Sequence, residues 1–171
     1  IYQNMLHLAM RDYRLFTPQS LANVAWAQAE TGIRDPQFLA KIADELPQGI
    51  SEIHLKALPY VVWTFASQDI AAPRLFDAVV SRLEGRLGTL SLSGLVKFVW
   101  ALSRADMPRE QVLVEVAHCI YERIDELHAQ NLASVAWAFG KLGYRDDTLL
   151  SALAEKLVDA VDFLNPPTFI N

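Results

Sequence analysis

The side chains best able to engage a ligand fall into four sets of three: Gln19, Asn23 and Glu30; Lys56, Tyr60 and Ser67; Ser93, Lys97 and Arg104; Gln130, Ser134 and Lys141. Spacings of four and seven residues bring the members of each set within about 40° of one another on a helix. Four of the twelve are basic and one is acidic, a balance of +3 within a chain whose formal charge is −5. Amides, hydroxyls and a phenol interleaved with Lys and Arg are the groups that read base edges, stack bases and neutralise phosphates on single-stranded RNA. The candidate RNA-binding residues are therefore Gln19, Asn23, Lys56, Tyr60, Ser93, Lys97, Arg104, Gln130, Ser134 and Lys141. Lys56, Lys97, Arg104 and Lys141 suit phosphates, and Asn23, Tyr60 and Ser134 suit bases. A solvated helical face has much the same composition, and an acidic protein is a poor nonspecific binder of nucleic acid.

What places these residues on one stripe is a repeat. The four tryptophans, Trp26, Trp63, Trp100 and Trp137, stand 37 residues apart, and Leu21, Leu58, Leu95 and Leu132 precede them in the same register. Downstream, Phe38/Leu39, Leu75/Phe76, Val112/Leu113 and Leu149/Leu150 recur, followed by Ile42, Val79, Val116 and Leu153. Self-similarity at one fixed period is the mark of a tandem array. Around each Trp the apolar residues fall three and four apart, as in Leu132, Val135, Ala136 and Phe139, which predicts an amphipathic helix. Thr17 with Pro18, and Ser91, are start signals, while Gly32 and Gly143 are stop signals. A second helix then starts at Asp35-Pro36, Ala72-Pro73 or Asp146.

The expected fold is all-α, a right-handed α-solenoid of tandem 37-residue helix-turn-helix repeats spanning 1–171. Its repeats are 17–53, 54–90, 91–127 and 128–164, with 1–16 the second helix of a truncated repeat and 165–171 the start of another. In this frame Ile1, Met5, Leu6 and Ala9 take core positions, and the chain reads as an excerpt of a longer array. Two departures stand out. Gln28 takes the place of Phe65, Leu102 and Phe139, and Pro59 requires a late helix start or a kink. The tryptophans suit wedges between neighbouring repeats, with base stacking on an exposed indole as the other reading.

Enzyme chemistry is not expected. There is no glycine-rich phosphate loop, no Ser-His-Asp signature and no recurrent carboxylate pair. The single cysteine, Cys119, leaves too few thiols for a disulfide or a structural zinc site. It adjoins His118, but adjacent helical residues diverge by about 100°, so it reads as a small apolar residue. His54 and His128 recur at one register position and His7 and His118 at another, as the period requires, so no metal and no cofactor is expected. No apolar run is long enough to cross a membrane, and no small-molecule substrate is implied.

The segments Gln19–Ala27 and Gln130–Gly143 resemble the first helix of the heptatricopeptide and octotricopeptide repeats, a group related to the FAST kinase-like repeat regions. The resemblance extends along the chain and is weakest where Pro59-Tyr60 replaces Ala-Asn. It implies an RNA-binding α-solenoid of mitochondria, or alternatively plastids, serving RNA processing, stability or translation, or held on ribosomal RNA within a mitochondrial ribosome. The RAP domain that such proteins often carry is not visible. The competing function is a protein-interaction scaffold using the same surface, or an architectural subunit of a large organellar complex.

Overall fold

The structure, a computed structural model, describes residues 12, 15–32 and 35–164, with side chains up to residue 159. The expectations for Ile1, Met5, Leu6, His7, Ala9 and 165–171 lie outside those residues. Among the described residues the chain is all-helical, with eight α-helices and no strand. They are α1 (Pro18–Thr31), α2 (Pro36–Glu45), α3 (Leu58–Ser67), α4 (Pro73–Leu83), α5 (Leu92–Arg104), α6 (Glu110–Tyr121), α7 (Ala129–Lys141) and α8 (Asp147–Leu164). Tight 3-10 turns cover Leu46–Glu52, Leu55–Ala57, Leu87–Thr89 and Ile124–Glu126.

Side-chain hydrogen bonds cap the starts of α1, α2, α5 and α8. Thr17 Oγ1 accepts the backbone N–H of Ser20 at 3.2 Å ahead of α1, and Ser91 Oγ accepts that of Gly94 at 3.1 Å ahead of α5. Asp35 and Asp146 do the same for Phe38 and Leu149, each at 2.9 Å. Each bond satisfies one of the amide protons that a helix start leaves orphaned. Pro59 produces the late start rather than a kink: the chain enters through the 3-10 turn Leu55–Ala57, and α3 is ten residues long.

The ends of α1, α3, α5 and α7 share one geometry. Gly32 (φ 69°), Asp69 (φ 56°), Asp106 (φ 53°) and Gly143 (φ 66°) take the left-handed conformation, at positions 37 residues apart. Beyond the last three, the N–H groups of Ile70, Met107 and Tyr144 return to the carbonyls of Phe65, Leu102 and Phe139 at 3.0, 3.0 and 3.2 Å. Such six-to-one bonds close helices on a left-handed residue. Glycine takes this conformation without strain, and aspartate is among the few side chains that tolerate it.

The chain forms two compact units, 1–90 and 91–171. In the first, α1 packs on α3 and α3 on α4, while the turn Leu46–Glu52 packs against α1 and α4. In the second, α5 packs on α7, α7 on α8 and α6 on α8. The repeated apolar ladder is the core of both: Leu21, Leu58, Leu95 and Leu132 are at most 4% exposed, and Ile42, Val79, Val116 and Leu153 at most 1%. Burying each contributes about 1.5–3 kcal/mol. Gln28 is also fully enclosed, in the place held elsewhere by buried Phe65, Leu102 and Phe139, and neither of its amide atoms has a hydrogen-bond partner among the described residues.

Candidate nucleic-acid interface

In the unit 1–90 the stripe residues come from α1, the turn Leu55–Ala57 and α3. Asn23 is exposed, and Gln19 and Tyr60 are half-buried. Gln19 is already engaged: its Oε1 accepts the backbone N–H of His54 at 2.9 Å, and its Nε2 donates to Asn23 Oδ1 at 3.0 Å. It ties α1 to the segment entering α3, a role that local sequence could not show. Lys56 is exposed, but it sits on the 3-10 turn because Pro59 delays the helix, so the helical-wheel relation does not link it to Tyr60 and Ser67. Between α1 and α3 lies an open cleft of ≈ 190 Å³, lined by Gln19, Asn23, Trp26, Ala57, Tyr60 and Val61 among others.

In the unit 91–171, Lys97 and Arg104 share α5, and Gln130, Ser134 and Lys141 share α7. Ser93, Arg104, Gln130 and Lys141 are exposed, and Lys97 and Ser134 are half-buried. Ser134 Oγ donates to the Gln130 carbonyl at 2.9 Å, as Ser67 Oγ donates to the Thr64 carbonyl at 2.9 Å. The protons of those two hydroxyls are committed to the backbone, which leaves their oxygens as acceptors.

Two of the tryptophans depart from the wedge expectation. Trp26 and Trp137 are 44% and 46% exposed, and Trp63 and Trp100 are half-buried. Arg104 places its guanidinium carbon 5.9 Å from the centroid of Trp100, and Lys141 its Nζ 5.4 Å from that of Trp137. A cation at that distance over an indole is attracted by the ring, by about 0.5–1 kcal/mol at an exposed site. The indoles are therefore part of the polar stripe. The signal was present in the sequence: at 100° per residue, positions seven and three before each Trp and four after it lie about 20°, 60° and 40° from the Trp itself.

Acid is scarce on the Trp-bearing helices, while the other helices carry both signs, with Lys41, Arg74, Arg82 and Lys156 among their acids. Among α1, α3, α5 and α7 the charged residues are Glu30, Lys97, Arg104 and Lys141, whereas Asp44, Glu45, Asp77, Glu115, Glu155 and Asp159 lie on α2, α4, α6 and α8. A nucleotide joins a planar heterocycle to an anion. An exposed indole with a cation beside it matches both parts, and stacking on an aromatic is tolerant of base identity.

Elsewhere the chemistry is sparse. Among the described residues no three His, Cys, Asp or Glu side chains gather where they could hold a metal ion, and no helix is long and apolar enough to cross a membrane. Cys119 is buried, and burial pushes its thiol above the usual range, partly opposed by Arg123. His118 points to Glu122, with Nε2 to Oε1 at 3.4 Å, on the exposed side of α6.

Residues 1–167 match the family model described as RNA-editing substrate-binding complex 6 protein. The match is to an RNA-associated helical family, as the repeat resemblance implied, although not to the heptatricopeptide or octotricopeptide families themselves. No curated protein matches the chain.

Proposed function

From the premise that this chain belongs to the RNA-editing substrate-binding complex 6 protein family, we propose that it is a non-enzymatic RNA-binding component of an RNA-editing assembly. The RNA is single-stranded, and each unit meets it through its own Trp-bearing helices, α1 and α3 in the first and α5 and α7 in the second. The observation that carries this reading is the pairing of two indoles, half-exposed Trp137 and half-buried Trp100, with Lys141 and Arg104 on helices almost free of acid. The architecture belongs to the same proposal, namely a right-handed α-solenoid of 37-residue repeats, which the recurring Trp, Leu and left-handed positions support. A mitochondrial location completes it, with an editing substrate in place of ribosomal RNA.

A protein partner has its own supporting observation. On α6, Val114 and Tyr121 are 52% and 44% exposed and stand seven residues apart, and Val158 on α8 is 59% exposed. Apolar side chains on helices separate from the stripe suit a scaffold that holds a protein with one helix set and RNA with the other.

The test compares two quadruple variants. Lys56, Lys97, Arg104 and Lys141→Gln should weaken binding to single-stranded RNA and flatten its salt dependence, by up to about 0.7 in log-log slope for each phosphate no longer neutralised. Lys41, Arg74, Arg109 and Arg145→Gln, all at exposed positions off the stripe, should do much less. Equal weakening by both sets would reduce the effect to net charge and defeat the reading.

A further inference from the structure

We infer that the cleft between α1 and α3 of the first unit is a pocket for a single nucleobase, bound without help from charge on α1. The inference rests on the RNA-binding reading and goes beyond it by assigning a site and a ligand class. Two aromatic side chains flank the cleft, Trp26 on α1 and Tyr60 on α3, and the indole is 44% exposed. A half-exposed indole beside an open cleft offers a planar surface on which a base can stack.

The amides beside it are preset. The His54 backbone N–H donates to Gln19 Oε1, and Gln19 Nε2 donates to Asn23 Oδ1, so a relay anchored in backbone fixes which way both side chains face. Asn23 Oδ1 is thereby committed toward Gln19, and its Nδ2 carries the two N–H donors for an acceptor on a base edge. Polar groups held by neighbours before the ligand arrives lose little freedom on binding, which is the basis of selective recognition.

Electrostatics separates α1 from the helices of the second unit, the stripe cation of the first unit being Lys56 on the 3-10 turn, next to Ala57 of the cleft wall. Trp100 and Trp137 have a cation four residues on, whereas Trp26 has Glu30 in that position, and α1 carries no basic residue. A base held on α1 gains its affinity from stacking and neutral hydrogen bonds, which salt does not screen. The second unit supplies charged groups whose attraction salt weakens.

The experiment uses the full chain and homo-oligoribonucleotides of U, C and A of equal length, with an abasic ribose-phosphate chain of that length as the fourth probe. Binding is followed by fluorescence anisotropy over a series of salt concentrations. Trp26→Ala should weaken binding to base-bearing probes about 5- to 150-fold, the equivalent of one stacked base. Its log-log salt slope and its binding to the abasic chain should match those of the unsubstituted protein. Trp26→Phe should recover most of the affinity, which separates stacking from folding, and Asn23→Leu should change the ranking among U, C and A.

Unchanged binding in Trp26→Ala, or an equal weakening on the abasic probe, would overturn the pocket while leaving the basic stripe intact. Absence of RNA binding by the unsubstituted chain would instead overturn the functional reading, and the pocket with it.

Discussion

Trp137→Ala separates packing from recognition most directly. For a fully buried Trp the change to Ala costs about 3–5 kcal/mol. Trp137 is 46% exposed, so roughly half of that, about 2 kcal/mol, is at stake, including the attraction of Lys141 at 5.4 Å. Urea unfolding followed by circular dichroism reads this as a lower midpoint. RNA affinity should fall about 5- to 150-fold if one base stacks on the indole, with little change in salt slope. Lys141→Gln should behave in the opposite way, lowering the slope by up to about 0.7 while leaving stability within about 0.5 kcal/mol. Combining the two substitutions should reveal coupling, because the side chains are neighbours. A drop in stability near the full value for a buried Trp, with RNA affinity unchanged in the folded variant, would refute the reasoning and restore the indole as a wedge.

Three further outcomes are expected on the same physical grounds. Gln28→Met keeps the side-chain length and removes an enclosed, unpartnered amide, so it should raise the urea midpoint by the equivalent of about 1–3 kcal/mol; an unchanged or lower midpoint would show that the amide is satisfied in the native state. Gly49→Ala should destabilise by about 1–3 kcal/mol, because a Cβ there would overlap the ring of Pro18, and a neutral result would mean that the turn and α1 do not approach so closely. Cys119 should alkylate far more slowly in the native protein than in denaturant at mildly alkaline pH, since burial raises the thiol pKa and thins the reactive thiolate; equal rates would place the thiol at the surface.

Helix starts were legible because their signals are local. Thr17, Asp35, Ser91 and Asp146 cap amides three residues on, so type and spacing were enough. The left-handed stops at Gly32 and Gly143 were legible for the same reason, whereas Asp69 and Asp106 were not, because aspartate takes that conformation less often than glycine. Lys56 falls on the helical stripe by spacing alone, and Pro59 displaces the start of that helix beyond it. The Gln19 relay was hidden because its partner, His54, lies 35 residues away in sequence.

By itself the sequence determined the helical class, the 37-residue recurrence of Trp and Leu, and which residues form the apolar ladder. All three depend on spacings of three and four within one helix, and burial follows from the transfer of apolar surface out of water. Only the tertiary structure decided that Trp26 and Trp137 stand half open, that α1 and α3 leave a cleft, and that the amide of Gln28 is enclosed without a partner among the described residues. Exposure is a property of what packs beside a residue, and those neighbours come from helices distant in sequence. A helical wheel assigns a side chain its direction, and the neighbouring helix decides whether anything covers it.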